Sequence, residues 1–199
     1  MKNFSGLAIG FTTLTLASCA PTLQPGVRLS VAQPSPASTS QGMTLTSPDL
    51  KEGSTVAAQQ VANAFGCTSA NVSPALTWSG APAGTQSFVL TMYDPDAPTG
   101  SGFTHWIVYD IPASATGLAA GAGSEGGTLP EGAKQMNDAG GGYLGPCPPP
   151  GDKPHRYIFT LYALSEPLGI APNSSAAVAG FSLNGKVLAK TSLTGYYSR

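Results

Sequence analysis

Two histidines and a pair of nearby aspartates are the side chains of this sequence best suited to do chemistry. His105 and His155 are the only histidines among 199 residues, and each begins a run of β-branched and aromatic residues after a loop rich in Gly and Pro. Asp94 and Asp96 follow a third run of the same kind. Where strands meet loops, a rigid frame can bring together side chains that are distant in sequence. We therefore expect these groups to form one site.

The chemistry of these groups is compatible with the binding of an anion. Imidazole N–H groups donate hydrogen bonds to oxyanions, and a protonated ring does so more strongly. A carboxylate beside a histidine fixes its tautomer and raises its pKa, and Asp94 is the candidate for that role. Asp96 is expected either to line the site or to bond backbone N–H groups of its own turn. Either histidine alone would be typical of a structural residue, so the prediction depends on both sharing one context.

Three segments are predicted to be the core strands that position these groups. They cover residues 86–93, 105–111 and 156–164 and are rich in β-branched and aromatic residues. The chain has 25 Gly and 18 Pro, with 41% apolar and 10% charged residues, which favours short strands joined by many turns over a helical bundle or a disordered chain. We predict a mainly β fold, an antiparallel β-sandwich with Greek-key-like connections.

One or two short helices are predicted near the C-terminal end of the sandwich. Ser174 or Ser175 can cap a helix over residues 176–179. A second helix is predicted from residues at helical spacing, namely Leu183, Val187, Leu188 and Thr191. Gly195 can end that second helix.

The N-terminal residues indicate export and lipidation. An apolar stretch over residues 4–17 follows Lys2 and is too short to span a bilayer. It ends in Leu-Ala-Ser-Cys at 16–19, which resembles a bacterial lipobox. We predict a signal peptide at 1–18, a lipidated Cys19 that anchors the chain to the bacterial cell envelope, a flexible linker over 19–41 and a domain over 42–199.

Two questions about the N-terminal residues stay open: whether Cys19 is lipidated, and which membrane would hold the anchor. In the alternative to lipidation, an ordinary secretory signal is cut nearby and Cys19 is incidental. Ala20 stands where an Asp would mark inner-membrane retention, so the outer membrane is preferred if the organism is Gram-negative.

Lipidation of one of the three cysteines leaves Cys67 and Cys147. An even pair in an oxidising compartment is a candidate disulfide. Two buried free thiols are an equally acceptable outcome, since Cys is a common small hydrophobe in protein cores.

Two long segments around the candidate residues carry a family resemblance. The first is YDPDAPTG at 93–100, followed by FTHW at 103–106. The second is GPCPPPGDKPHRY at 145–157. Further matches are NVSPALTW at 71–78 and GYYSR at 195–199. On these residues, which span nearly the whole predicted domain, the chain resembles the phosphatidylethanolamine-binding family in its bacterial Raf-kinase-inhibitor-like branch.

The resemblance implies a β-sandwich with a small surface cavity for an anionic group such as phosphate. By matched position, the residues that would line or support the cavity are Asp94, Asp96, His105, Pro146, His155 and Tyr157. It implies a binding protein that has no catalytic activity or cofactor and that could regulate a partner protein. Arg156 is expected to pair with a loop aspartate rather than to clamp the anion. One departure from the branch is Ala139, where an aromatic residue is expected, and it leaves the ligand preference open.

Three other functions remain open from the sequence. A hydrolase could use Asp–His acid–base chemistry, although no G-x-S-x-G motif or Cys–His signature accompanies the histidines. Two histidines and a carboxylate could bind zinc, but the sequence lacks HxH or HExxH spacing and we expect no metal. The pocket could also be vestigial in a protein-interaction or inhibitor domain. The net charge of −1, with no basic run, gives a nucleic-acid surface no electrostatic support.

Overall fold

A computed structural model describes residues 42–199, which are mainly β with one short α-helix and one 3-10 turn. The strands are β1 (Thr44–Thr46), β2 (Leu76–Ser79), β3 (Ser87–Asp94), β4 (Phe103–Pro112), β5 (Gly117–Leu118), β6 (Lys134–Met136), β7 (His155–Leu164) and β8 (Val187–Tyr197). The helix α1 covers Ala176–Ser182, and the 3-10 turn covers Ala58–Gln60. The predicted signal peptide (1–18), Cys19 and the linker (19–41) lie outside the described residues.

The strands form two antiparallel sheets. The larger sheet has the order β6-β4-β3-β7-β8, and the smaller has the order β1-β2-β5. The three predicted core strands, now β3, β4 and β7, are neighbours in the larger sheet. Mainly β architecture is therefore confirmed, while the Greek-key-like connections stay a prediction.

Both sheets contribute side chains to one main apolar cluster. Leu76 and Trp78 of β2 lie in it together with alternate residues of β3, such as Leu90 and Met92. The other face of β3 carries Val89, which belongs to a second cluster. Since both faces of the larger sheet are covered, its central strands are nearly continuous hydrophobic runs.

The second cluster lies where α1 covers the outer face of the larger sheet. Ala179 of α1 and Leu183 just after it are buried in this cluster with Val89. The helix begins as predicted, because the hydroxyl of Ser175 accepts a hydrogen bond from the backbone N–H of Val178 at 3.2 Å.

The second C-terminal helix is a wrong prediction. Val187–Tyr197 is the strand β8, which pairs with β7 along almost its whole length. Short apolar runs are ambiguous between helix and strand, and here the ladder offered by β7 decides the outcome. Gly195 does not cap a helix. It lies within β8, where a Cβ would come 2.6 Å from Cδ1 of Leu50, so a larger residue would displace this buried side chain.

Among residues 42–199, no helix is both long and apolar enough to cross a membrane.

Candidate functional site

The antiparallel order of the larger sheet brings the candidate polar groups together. The end of β3 lies beside the starts of β4 and β7, its two neighbours. Asp94, His105 and His155 stand at these three positions, and Tyr157 is two residues further along β7. These four side chains line one cavity of about 270 Å³. The structure therefore brings together four of the six residues named from the sequence.

A bulge in β4 turns His105 toward this cavity. Met92 of β3 pairs with Trp106, whereas the next residue, Tyr93, pairs with Thr104, so His105 is an extra residue without a partner on β3. Regular alternation would place the neighbours His105 and Trp106 on opposite faces of the sheet. Trp106 belongs to the main core cluster. The bulge therefore returns His105 to the face that carries both the core and the cavity.

Asp138 supports the strand beside the bulge. The backbone N–H of Thr104 donates to Oδ2 of Asp138 at 2.6 Å, and the N–H of Asp138 donates to the carbonyl of Thr104 at 3.0 Å. These two bonds satisfy backbone groups where the regular ladder is interrupted. Asp138 is a supporting residue that the sequence reasoning missed, although its Asn-Asp-Ala-Gly context marks a turn.

Asp94 is the central acceptor of the site. Its side chain is almost fully buried, and its Oδ2 lies 2.7 Å from Nδ1 of His155. Its Oδ1 accepts from the backbone N–H of Asp96 at 2.8 Å, which holds the following turn. The same Oδ2 is 4.0 Å from Nε2 of His105. One carboxylate therefore orients one imidazole directly and faces the other across the cavity.

His105 has a fixed tautomer when it is neutral. Its Nδ1 lies 2.8 Å from the carbonyl oxygen of Leu144, which can only accept, so Nδ1 carries the hydrogen. The Nε2 of the neutral ring then presents a lone pair. Burial lowers the pKa of His105, and this effect outweighs the opposing influence of the Leu144 carbonyl and the Asp94 charge. The Asp94 carboxylate thus acts on the pKa of His105 in the expected direction, but burial outweighs it and the net shift is downward.

His155 lies between two carboxylates. Its Nδ1 bonds Asp94, and its Nε2 is 3.5 Å from Oδ2 of Asp152. Asp94 is buried, whereas the Asp152 side chain is 44% exposed. The Nε2 of His155 can therefore hold a proton shared with Asp152 or offer it to a ligand.

Tyr157 supplies a buried hydroxyl that has no hydrogen-bond partner among the described residues. The side chain lines the cavity and packs edge-on against the ring of His105, with ring centroids 5.2 Å apart. Burial, aided by the negative charge of Asp94, raises the pKa of Tyr157, so the group keeps its O–H. A buried donor left unpaired costs free energy unless a ligand or water accepts from it.

Asp96 and Pro146 do not line the cavity. Asp96 turns away and accepts from Nε and Nη2 of Arg156 at 2.8 and 2.7 Å, and from the Arg156 backbone N–H at 3.0 Å. These bonds lower the pKa of Asp96 to about 2. Arg156 thus pairs with a loop aspartate, as expected. The carbonyl of Pro146 accepts from the N–H of Ala62 at 3.1 Å, which joins two loops instead of facing a ligand.

The mouth of the cavity is apolar, and a disulfide connects two of the loops that form it. Its lining includes Phe65, Phe103 and Pro148 in addition to the polar groups. Cys67 and Cys147 form a disulfide that links the loop of Phe65 to the Pro-rich loop. Of the two outcomes left open for this pair, the structure has the disulfide.

Asn71 supports the cavity from behind. Its Nδ2 donates to the carbonyl of Tyr143 at 3.1 Å, and its Oδ1 accepts from the N–H of Gly145 at 2.7 Å. Gly145 itself lines the cavity. Ala139, the departure noted in the sequence, lies on a separate cleft with Gly140 and does not line this cavity.

The described part of the chain contains no cluster of side chains suited to bind a metal ion. Across residues 42–199, no group of three or more His, Cys, Asp or Glu side chains is placed to hold a metal ion.

Comparison with known proteins places the chain in a family. A family model described as "Phosphatidylethanolamine-binding protein" matches residues 46–198. The UPF0098 protein YbcL of Escherichia coli is 49% identical over 157 residues, covering 77% of this chain and 86% of that protein. The putative lipoprotein LppC of Mycobacterium tuberculosis is 40% identical over 147 residues, covering 72% of this chain and 66% of that protein.

Solved structures agree with this assignment. The crystal structure of E. coli YbcL, described as a new member of the mammalian PEBP family, matches with a TM-score of 0.73 and 45% identity and covers 79% of this chain and 98% of that chain. A putative phosphatidylethanolamine-binding homologue from Chlamydia trachomatis matches with a TM-score of 0.67 and 30% identity, covering 79% and 97%. The family resemblance drawn from the sequence is thus confirmed, while the Raf-kinase-inhibitor-like branch stays a prediction, and the chain belongs to the phosphatidylethanolamine-binding protein family.

Proposed function

We propose that this protein is a non-catalytic binding protein that holds a small phosphate-type anion in the cavity of Asp94, His105, His155 and Tyr157. The observation that carries the proposal is the hydroxyl of Tyr157, a buried donor without a partner in the described residues that stands on the cavity wall. An oxyanion would satisfy this donor with a charge-assisted hydrogen bond.

The histidines supply the positive charge that the anion requires. Both Nδ1 atoms are engaged, one by Leu144 and one by Asp94, so the Nε2 atoms are left to meet a ligand, and that of His155 also lies 3.5 Å from Oδ2 of Asp152. Protonated at Nε2, each ring is a cationic donor. Asp94 then offsets part of this charge, and a bound anion would offset the rest.

The groups on the cavity wall favour binding over covalent catalysis. Cys147 is in a disulfide, and the hydroxyl of Thr99 donates to the carbonyl of Gly102. Neither is available as an activated nucleophile. Hydrolysis by an Asp–His pair acting on water is the competing function, and turnover of phenyl phosphate that is lost on His155→Ala would establish it against our proposal.

We further propose that a lipid on Cys19 holds the domain at the bacterial cell envelope, where the bound anion could control contact with a partner protein. Support comes from the residues before Cys19 and from the name of the mycobacterial relatives, putative lipoprotein. The outer membrane is our choice if the organism is Gram-negative. A Cys19→Ser variant should move from the membrane fraction to the soluble fraction, and retention in the membrane would contradict the anchor.

The decisive experiment on the site compares two tyrosine hydroxyls. Tyr157→Phe removes the unpaired hydroxyl and nothing else. Tyr143→Phe is the matched control, because the Tyr143 hydroxyl donates to the carbonyl of Gln60 at 2.8 Å and lies outside the cavity lining. Calorimetric titration with phosphate and phosphoethanolamine at millimolar concentrations measures affinity, and thermal unfolding measures stability.

We expect opposite effects from the two variants. Tyr157→Phe should weaken anion binding about tenfold to a hundredfold, as expected for a hydrogen bond to a charged group worth ~1.5–3 kcal/mol, without loss of stability. Tyr143→Phe should lower the free energy of unfolding by about 1 kcal/mol and leave the affinity unchanged. Absence of binding in the wild type, or equal affinities for the wild type and Tyr157→Phe, would refute the proposed site.

A further inference from the structure

Polarity changes along the depth of the cavity. Its ionisable groups are buried, since Asp94, His155 and Tyr157 are exposed by only 2%, 3% and 0%. Its two phenylalanines lie nearer the surface, since Phe103 is partly exposed and Phe65 is 65% exposed. A ligand that fills this space would place an anionic end inward and an apolar end at the mouth.

From this arrangement we propose that the cavity takes a phosphate monoester with an apolar, aromatic substituent, and that Phe65 is the residue that selects for the substituent. The inference rests on the proposed anion site and adds to it a second contact surface. The cavity of about 270 Å³ exceeds what a bare tetrahedral oxyanion fills and approaches the ~300 Å³ of the smaller organic-ligand sites.

Phe65 is held in place by contacts that come from elsewhere in the chain. Its φ is +55°, in the left-handed region that bulky residues rarely adopt. Nη2 of Arg199 donates to the carbonyl oxygen of Phe65 at 3.1 Å, and Nε of Arg199 donates to the carbonyl of Pro148 at 2.5 Å. The disulfide of Cys67 fixes the same loop two residues later.

These restraints act on the backbone of a residue whose side chain packs little against the protein. A phenylalanine that served the core would be buried, yet most of the Phe65 surface faces solvent at the cavity mouth. Fixing the backbone that carries an aromatic ring at the mouth lowers the entropy lost when a ligand packs on the ring. The ring of Phe103 stands on the same lining, 4.9 Å from the ring of His105. An aromatic substituent can therefore lie against these two rings while its phosphate reaches the imidazoles.

The test separates the organic end of the ligand from the anionic end. Phenyl phosphate and inorganic phosphate are titrated calorimetrically into the wild type, Phe65→Ala and Phe181→Ala. Phe181→Ala is the matched control, because Phe181 is 78% exposed, lies on α1 and is not part of the cavity lining. A Cys67→Ser/Cys147→Ser double variant tests the restraint on the loop.

We expect the wild type to prefer phenyl phosphate over inorganic phosphate. Phe65→Ala should weaken phenyl phosphate binding roughly threefold to tenfold, the size of one aromatic contact, with no change for inorganic phosphate. The double cysteine variant should lose the same preference, and Phe181→Ala should keep it.

The outcomes distinguish this inference from the function on which it rests. Equal wild-type affinities for the two ligands, or equal losses for both ligands in Phe65→Ala, would overturn the role of Phe65 and leave the anion site standing. If neither ligand binds the wild type, the anion site itself fails, and this inference fails with it.

Discussion

Binding of an oxyanion to this cavity should draw a proton from solution. The neutral ring of His105 has its single N–H directed at the Leu144 carbonyl, 2.8 Å away, and therefore offers the ligand only the lone pair of Nε2. An anion beside that lone pair would be repelled, and Asp94 Oδ2 at 4.0 Å adds negative charge on the same side. Protonation of Nε2 turns this repulsion into a charge-assisted hydrogen bond.

The expected number of protons taken up follows from the lowered pKa of His105. At pH 7.5 the free ring is neutral, and phenyl phosphate, with a second pKa near ~6, is a dianion. Binding should therefore take up a proton, approaching ~1 per anion where His105 is the group that charges. Above the pKa of the bound complex, the affinity should fall by up to about tenfold per pH unit, since one unit equals ~1.36 kcal/mol.

Calorimetry in two buffers of different ionisation enthalpy measures this uptake directly. The other ionisable groups near His105 are Asp94, Asp138 and, across the cavity, Tyr157 and His155. His105→Gln is the matched variant, because a glutamine amide can reach the position of Nε2 and cannot take up a proton there. Uptake should fall in this variant. Binding of the dianion to the wild type without any proton uptake would refute the tautomer argument.

The same lowered pKa makes folding sensitive to acid. The unfolded chain binds the His105 proton more readily than the native state, so stability is full above the ordinary pKa of 6.5 and declines as the pH falls below it. Denaturant unfolding at several pH values should show a shallower decline in His105→Gln than in the wild type. Identical pH dependence in both proteins would contradict the assignment.

Three further perturbations test the support of the site. Arg156→Ala should cost at most about 1 kcal/mol. Because Arg156 lowers the pKa of Asp96 from 3.8 to about 2, the cost should be full above 3.8 and disappear as the pH falls through about 2, as followed by denaturant unfolding. Asn71→Ala leaves a carbonyl and an N–H without partners and should lower the free energy of unfolding by about 1–3 kcal/mol, so an unchanged Tm would contradict its supporting role. Reduction of the bond between Cys67 and Cys147, which are separated by 80 residues, should cost about 2–4 kcal/mol, and mass spectrometry should show the untreated protein lighter by two hydrogen atoms than the reduced protein.

The strongest sequence patterns predicted the core of the fold. The runs that became β3, β4 and β7 are long, β-branched and aromatic, and they lie between Gly/Pro loops, so propensity and turn signals agreed. The segment of β8 was predicted incorrectly because its apolar residues satisfy a helical period as well. Its true structure depends on a partner strand that lies some 30 residues away in sequence, as the pair Leu161 and Thr191 shows.

The site was predictable where side-chain chemistry is distinctive and not where backbone geometry decides. Asp94, His105 and His155 are rare ionisable groups in a chain with few charges, and the family resemblance added Tyr157. Asp96 could not be excluded from sequence, because only the fold reveals that it is the loop aspartate with which Arg156 pairs. The hydrogen bond between the Leu144 carbonyl and His105 could not be predicted, because a backbone carbonyl is present at every residue whatever its type.

The unpaired residue in β4 sets a condition for anyone who wishes to transplant this pocket into another scaffold. Copying Asp94, His105 and His155 onto three regular neighbouring strands would direct the first imidazole to the wrong side of the sheet. A functional graft must carry the irregular stretch as a unit, together with Asp138, whose two bonds to Thr104 keep the displaced backbone satisfied.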